Sequence, residues 1–181
     1  MMRELLLLRH AKSAWDDPKL PDHARPLNAR GHQAAAAMRE LIRTLRLMPE
    51  LVLVSSARRT LQTLQALGPL DPSCRVTPLD GLYLASTGQL LDTIHTIDES
   101  VRRVMIIGHN PGLHDLAIKL AGAAAMRRPD SDLVRLAEGF PTGALAAFTL
   151  ACPWSAVGEG SGRLDRFVAP RDLPEPAGRP A

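Results

Sequence analysis

A run of four leucines near the start of the chain constrains its fold most strongly. Leu5 to Leu8 are followed directly by Arg9 and His10. Consecutive apolar residues that stop at polar ones are typical of a strand buried on both faces, in a parallel sheet covered by helices. In open α/β sheets the ligand crevice lies beyond the carboxyl ends of the strands. The sequence therefore predicts that Arg9 and His10 lie at a ligand site.

Further segments predict strands that alternate with helices. The predicted strands cover residues 3–9, 51–54, 75–79, 104–107, 144–150 and 164–168, the last antiparallel to the fifth because a glycine-rich turn joins them. The predicted helices cover 29–46, 57–67, 87–97 and 111–121, and residues 122–139 show no clear pattern. This alternation predicts a three-layer α/β/α sandwich around a mainly parallel central sheet.

Length and composition set the domain organisation. A chain of 181 residues with 45% hydrophobic content suits a single domain with a full core, which we assign to residues 1–169. Residues 170–181 include four prolines and predict a flexible Pro-rich tail. The expected oligomeric state is a monomer or a weak oligomer.

Composition also argues against several partners. The net charge of +3 comes without a dense basic run, which disfavours a nucleic-acid partner. Cys74 and Cys152 lie far apart and indicate no disulfide framework. The leucine run is too short for a signal peptide or a membrane span, so we expect a soluble cytoplasmic protein that does not bind membranes.

Polar residues follow three of the predicted parallel strands. They are Arg9 and His10 after the first strand, Ser55 to Arg59 after the second and His109 after the fourth. We expect them to converge at one edge of the sheet. His109 and His114 are five residues apart, a poor ligand spacing on a helix, so no zinc site is expected.

This group of side chains suits phosphoryl transfer. The transition state spreads negative charge over three oxygens, which arginine forks, a second imidazole and helix N-termini would stabilise. A neutral imidazole at His10, with a reference pKa near ~6.5, could attack phosphorus and form a covalent phosphohistidine. No metal or other cofactor is expected, because the arginines supply the compensating charge.

Three motifs in this order resemble the histidine phosphatase superfamily, also called the phosphoglycerate-mutase-like family. Residues 8–11 (Leu-Arg-His-Ala) resemble its Arg-His-Gly signature. Residues 55–63 resemble its second motif, Ser-Pro-x-x-Arg-Ala-x-Gln-Thr, and residues 108–111 match the motif that holds its second catalytic histidine. The resemblance implies a phosphoglycerate-mutase-like fold and a phosphatase that forms a covalent intermediate on His10.

The same resemblance implies a role for each site residue. It assigns the second phosphate-binding arginine to Arg59 rather than Arg58. Arg9 and Arg59 would hold the phosphoryl oxygens, and His109 would stabilise charge on the transferring group. In larger relatives a carboxylate after the third strand protonates the leaving group, and Asp80 is the nearest candidate for that proton donor.

The short chain and the Arg-Pro-Leu-Asn-x-x-Gly segment at residues 25–31 look most like the SixA branch, the phosphohistidine phosphatases. That branch implies phosphohistidine on a protein as substrate, for example on a histidine phosphotransfer domain. Two alternatives stay open: a phosphatase of a small phosphorylated metabolite such as a sugar phosphate, and a non-catalytic module that binds phosphoproteins. Thr142 is expected in a turn, with a position at the border of the pocket as the alternative. Four other histidines are expected at the surface: His23, His32, His95 and His114.

Overall fold

The computed structural model describes residues 2–173, and six strands in this part of the chain form one sheet. The strands are β1 (Arg3–Arg9), β2 (Leu51–Ser55), β3 (Arg75–Leu79), β4 (Arg103–Gly108), β5 (Leu145–Leu150) and β6 (Gly162–Val168). Their order across the sheet is β3-β2-β4-β1-β5-β6. The first four run parallel, β5 is antiparallel to β1, and β6 is antiparallel to β5. The predicted mainly parallel sheet is confirmed.

The same residues contain five α-helices: α1 (Ala29–Thr44), α2 (Arg58–Ala66), α3 (Thr87–His95), α4 (Gly112–Met126) and α5 (Ser131–Glu138). The sequence pattern did not reveal α5. This helix has only eight residues and buries two of them, Leu133 and Leu136, so its periodicity is short. Its N-terminus is defined instead by a cap, in which the Asp130 side chain accepts a hydrogen bond from the Leu133 N–H.

The leucines of β1 contribute side chains alternately to the hydrophobic cores on the two faces of the sheet. Leu5 and Leu7 belong to the core that includes residues of α3, α4 and α5, whereas Leu6 and Leu8 pack with residues of α1 and with Val52 and Val54 of β2. Each of the four leucines is at most 1% exposed. Because successive side chains of a strand point to opposite faces, four apolar residues in a row fill two cores. The three-layer α/β/α sandwich is confirmed.

Neighbouring parallel strands end together at one edge of the sheet. Arg9 at the end of β1 is the pairing partner of Gly108 at the end of β4, and β2, on the other side of β4, ends at Ser55. His10, which follows β1, therefore leaves the sheet at the same edge as Ser55.

The long segment between β1 and α1 crosses this edge. An isolated bridge between Ser13 and Leu27 joins its two arms, and a 3-10 turn, Asp22–Ala24, lies between them. The Asn28 side chain accepts a hydrogen bond from the Gly31 N–H and begins α1. Long loops without secondary structure of their own are uncommon unless they serve a site.

The start of the predicted tail packs on the domain. Pro170–Asp172 form a 3-10 turn, and the Asp172 carboxylate pairs with Arg135 of α5 and accepts the Ala169 N–H. Residues 174–181 of the predicted tail lie outside the described residues. Within residues 2–173, no helix combines the length and apolarity needed to cross a membrane.

Candidate active site

A cavity of about 450 Å³ opens at the carboxyl edge of the parallel strands. Four of the predicted site residues line it together: Arg9, His10, Arg59 and His109. The other residues that line it are Lys12, Ser13, Trp15, Asp22, Leu84, Asn110 and Thr142. Asp80 is not among them; it lies exposed in the 3-10 turn Asp80–Leu82.

The His10 ring is fixed in one orientation by the backbone of the next residue. Its Nδ1 lies 2.7 Å from the Ala11 carbonyl oxygen. A carbonyl oxygen only accepts hydrogen bonds, so Nδ1 carries the proton and Nε2 keeps its lone pair. Burial lowers the pKa of His10 to about 4, and the charges of Arg59 and Arg9 act in the same direction. The ring is therefore neutral at pH 7, with an unprotonated nitrogen available for attack.

His109 faces His10 and bonds on both sides of its ring. The two ring centroids are 5.2 Å apart. The Arg59 guanidinium lies 3.3 Å from Nδ1 of His109, and Ser55 Oγ lies 2.8 Å from its Nε2. Because a guanidinium can only donate, Nδ1 is the acceptor, and the Nε2 proton is donated to Ser55. Burial, followed by the proximity of His10, lowers the pKa of His109 to about 3.

Arg59 is held by a residue that sequence reasoning missed. Its Nη1 donates to the Asp22 carbonyl oxygen at 2.6 Å, and its Nη2 donates to Asp22 Oδ2 at 2.9 Å. The Tyr83 hydroxyl donates to the same Oδ2 at 2.7 Å. The hydrogen bond from Tyr83, joined by that from Arg59, lowers the pKa of the Asp22 carboxyl, which is ionised at pH 7. The one sequence signal for Asp22 is its place in a long polar loop.

Arg9 is positioned by a backbone carbonyl from the segment that follows α5. Its Nη1 donates to the Phe140 carbonyl oxygen at 2.9 Å, and the Asn110 side-chain amide donates to that same oxygen at 2.9 Å. Burial and the nearby Arg59 lower the pKa of Arg9 below its ordinary value. Arginine remains protonated in proteins, so both guanidinium groups carry positive charge at the cavity.

Comparison with known proteins decides the family. A sequence model of the histidine phosphatase superfamily, branch 1, matches residues 5–106. The chain belongs to this superfamily. An uncharacterized chloroplastic protein of Arabidopsis thaliana is 32% identical over 178 residues, which cover 93% of this chain and 78% of the relative.

Solved structures agree with this assignment. A Nakamurella multipartitia structure assigned as the phosphohistidine phosphatase SixA is 25% identical, with a TM-score of 0.82 over 94% of this chain and 97% of that one. An Agrobacterium tumefaciens structure with the same assignment is 31% identical, with a TM-score of 0.76 over 92% of this chain and 97% of that one. The chain is therefore a hydrolase, a SixA-like histidine phosphatase that acts on a phosphorylated substrate.

Two helices of this histidine phosphatase begin beside the cavity without side-chain caps. The N-cap of α2 is Ala57, next to Arg58 and Arg59, and the N-cap of α4 is Pro111, which follows His109 and Asn110. The first N–H groups of a helix have no partner within the helix, and the helix dipole is positive at that end. Both features favour an anion in the cavity. Within residues 2–173, no group of three or more His, Cys, Asp or Glu side chains is arranged to hold a metal ion.

The remaining histidines of this histidine phosphatase lie away from the cavity lining. His32 and His95 are exposed, as expected, and exposed His23 packs edge-on against the Tyr83 ring with centroids 4.8 Å apart. The expectation that His114 is a surface residue was wrong. It is half-buried because its Nε2 bonds to the Leu136 carbonyl oxygen at 2.7 Å, linking α4 to α5.

Proposed function

We propose that this histidine phosphatase hydrolyses phosphohistidine on a protein, through a covalent intermediate on His10. One observation carries the proposal: the Ala11 carbonyl fixes the Nδ1 proton of His10, so its free Nε2 shares a cavity with two arginines and a second imidazole. A positioned neutral imidazole beside preorganised positive charge is what covalent phosphoryl transfer needs.

Each site residue has one part in this reaction. Nε2 of His10 attacks phosphorus while Arg9 and Arg59 hold the phosphoryl oxygens. The negative phosphoryl group raises the pKa of His109 when it binds, because an opposite charge favours the protonated ring. Protonated His109 then stabilises the charge on the transferring group. Water hydrolyses the phosphorylated His10 and releases phosphate.

The rim of the cavity favours a macromolecular substrate. Trp15 and Leu84 line it and are 69% and 52% exposed. Large exposed apolar side chains beside a polar cavity are a feature of interaction sites. A histidine phosphotransfer domain would present its phosphohistidine to such a rim. A monomer or weak oligomer in the cytoplasm suits this partner and is part of the proposal.

The position of Asp80 disfavours a small phosphomonoester. An alkoxide leaving group needs a proton donor, and the exposed Asp80 does not line the cavity. Phosphohistidine needs less help because imidazole is a much better leaving group. We therefore do not include Asp80 in the proposed catalytic set.

The test compares turnover of a phosphorylated histidine protein with turnover of a panel of sugar phosphates. We expect the phosphorylated histidine protein to be hydrolysed at a higher kcat/KM than any of the sugar phosphates. The variant His10→Ala should hydrolyse neither, and labelled phosphate should be trapped on residue 10 of the wild type but not of this variant. His32→Ala, which removes an exposed histidine, is the matched control and should behave as wild type.

Three outcomes would contradict the proposal. Preferred turnover of sugar phosphates would assign a small substrate. Turnover that persists in His10→Ala would exclude the covalent role of His10. Binding of the phosphoprotein with no turnover of any substrate, including an activated aryl phosphate, would make the chain a binding module.

A further inference from the structure

The Asp22 carboxylate has one oxygen committed to the protein and one that is not. Oδ2 accepts hydrogen bonds from both Arg59 and Tyr83, at 2.9 Å and 2.7 Å. Oδ1 accepts no hydrogen bond within residues 2–173, and Arg25 Nε lies 3.9 Å away from it. The side chain is 43% exposed and lines the cavity with His10. Asp22 therefore presents an unused acceptor to whatever occupies the cavity.

The charge of Asp22 determines what it can do there. Its hydrogen bonds from Tyr83 and Arg59 lower its pKa, so the group is ionised at pH 7. An ionised carboxylate accepts hydrogen bonds and has no proton to donate. It can therefore help a leaving group that carries its own N–H, and it cannot protonate an alkoxide.

We propose that Asp22 is a specificity-determining residue that accepts a hydrogen bond from the leaving imidazole ring and so favours nitrogen-linked over oxygen-linked phosphoryl groups. The inference rests on the proposed function, because it names the chemistry that the same cavity selects. Asp22 therefore places a hydrogen-bond acceptor, and not a proton donor, beside the leaving group.

The transfer step balances without an external acid. Nε2 of His10 forms a bond to phosphorus, and the bond between phosphorus and the substrate ring nitrogen breaks. Its electron pair stays on the departing nitrogen. The ring reacts in its protonated, positively charged form, so the proton on its other nitrogen remains there, hydrogen-bonded to Asp22, and the ring leaves as neutral imidazole. An alkyl phosphate would leave as an alkoxide, which requires a proton that Asp22 does not have.

Asp22→Asn separates this role from simple positioning of Arg59. The amide keeps one carbonyl oxygen for Arg59 or Tyr83 and keeps the backbone carbonyl, but it removes the negative charge. Loss of a hydrogen bond to a charged group predicts that kcat/KM for phosphoimidazole and for a phosphorylated histidine protein falls by about 10- to 100-fold. Turnover of 4-nitrophenyl phosphate, whose leaving group needs no proton, should fall only by what the weaker hold on Arg59 costs, so the loss for phosphoimidazole should exceed it by about 10-fold.

Asp17→Asn is the matched control. Asp17 is an exposed carboxylate of the same loop, and its one hydrogen bond within residues 2–173 comes from the nearby Lys19 N–H. Its replacement should leave both activities unchanged, which excludes a general effect of loop charge.

A second measurement uses the wild type alone and so does not depend on folding of a variant. N-phospho-N′-methylimidazole lacks the N–H that Asp22 would accept. The quantity of interest is the ratio of enzymatic turnover of phosphoimidazole to that of the methylated compound, corrected for the rates of both compounds in solution. In the wild type this ratio should be about 10, the effect of one hydrogen bond. The ratio should fall to near one in Asp22→Asn.

Several results would overturn the inference. Equal losses for phosphoimidazole and 4-nitrophenyl phosphate in Asp22→Asn would show that Asp22 only holds Arg59. Unchanged activity on both, or a corrected ratio near one in the wild type, would show that Asp22 does not contact the leaving ring. A wild type that hydrolyses sugar phosphates and no phosphohistidine would instead overturn the proposed function itself.

Discussion

The imidazole rings of His10 and His109 lie 5.2 Å apart and are tilted by 53° to each other. Two imidazolium ions this close would repel each other, and burial already disfavours the charged form of each. The pKa of His10 is lowered to about 4 and that of His109 to about 3. In the free protein both rings are therefore neutral over the physiological pH range.

The first prediction is a pH profile that follows from these pKa values. Protonation of His10 removes the nucleophilic lone pair, so kcat/KM should fall on the acid side around pH 4 and not around 6.5. The measurement is kcat/KM for 4-nitrophenyl phosphate between pH 3 and 8, corrected for ionisation of the substrate. A single loss centred near pH 6.5 would show that the nucleophile is not buried as described.

The second prediction concerns the hydroxyl that fixes His109. Ser55 Oγ accepts the Nε2 proton of His109 at 2.8 Å, so Ser55→Ala leaves a buried donor without its partner. We expect kcat/KM to fall by roughly 10-fold, equivalent to about 1.4 kcal/mol in the barrier. Ser56→Ala is the matched control, because Ser56 bonds to exposed His23 and does not line the cavity. Equal kinetics for the two variants would exclude the orienting role of Ser55.

The third prediction distinguishes the two adjacent arginines of the second motif. Arg59 is 4% exposed and contacts Asp22 and His109, whereas Arg58 is exposed on the first turn of α2. Lysine cannot reproduce the forked contacts of a guanidinium. Arg59→Lys should lower kcat/KM by about 100-fold, or about 2.7 kcal/mol, while Arg58→Lys stays within about 2-fold. The reverse pattern would move the phosphate-binding role to Arg58.

The features of this protein that are easiest to predict from sequence are those set by residues adjacent in the chain. The leucine run of β1 indicated a doubly buried strand because consecutive apolar residues have few other solutions. Parallel strand ends then brought Arg9, His10 and His109 to one cavity. The motif alignment selected Arg59, and its burial separates it from Arg58.

Contacts made by isolated residues could not be predicted in this way. Asp22 reaches Arg59 from a loop whose path depends on tertiary packing, so no periodicity marks it. Asp80 shows the converse: its position after the third strand suggested a proton donor, but the chain turns immediately into a 3-10 segment that leaves it exposed. Short α5 was hidden because two buried leucines are too few to define a helical pattern.

The fourth prediction tests why glycine occupies position 31. A Cβ at Gly31 would lie 2.2 Å from the Lys12 carbonyl oxygen, which also accepts the Asn28 N–H. Gly31→Ala must push the segment after His10 away from α1, at a cost of about 2 kcal/mol in the free energy of unfolding. A drop in kcat should accompany this loss, because Lys12 is two residues from the nucleophile.

The control for this variant is Gly81→Ala, where an added Cβ would meet no atom of the described residues within 4 Å. Its free energy of unfolding in urea should change by no more than about 0.5 kcal/mol. If Gly31→Ala were as stable as Gly81→Ala, the close packing of α1 on the Lys12 backbone would be disproved.

The fifth prediction tests whether the substrate is a protein. Trp15 is 69% exposed at the cavity rim, and the Arg25 guanidinium stacks on its ring at 4.0 Å, which holds the indole in place. An ordered exposed tryptophan is the kind of residue that dominates binding of a macromolecule. Trp15→Ala should therefore raise KM for a phosphorylated histidine protein by about 10-fold, or about 1.4 kcal/mol, and leave KM for 4-nitrophenyl phosphate unchanged.

The matched control for Trp15→Ala is Val134→Ala, which removes an exposed apolar side chain on α5 that does not line the cavity. Both variants remove exposed apolar surface. A larger KM for the protein substrate in Trp15→Ala than in Val134→Ala would therefore result from the position of Trp15 at the rim and not from lost hydrophobic surface in general. If Trp15→Ala raised KM equally for the protein and for the aryl phosphate, Trp15 would shape the cavity itself. A KM for the protein substrate that did not change would remove the rim from the recognition surface, and with it the main structural reason to prefer a protein over a small phosphorylated metabolite.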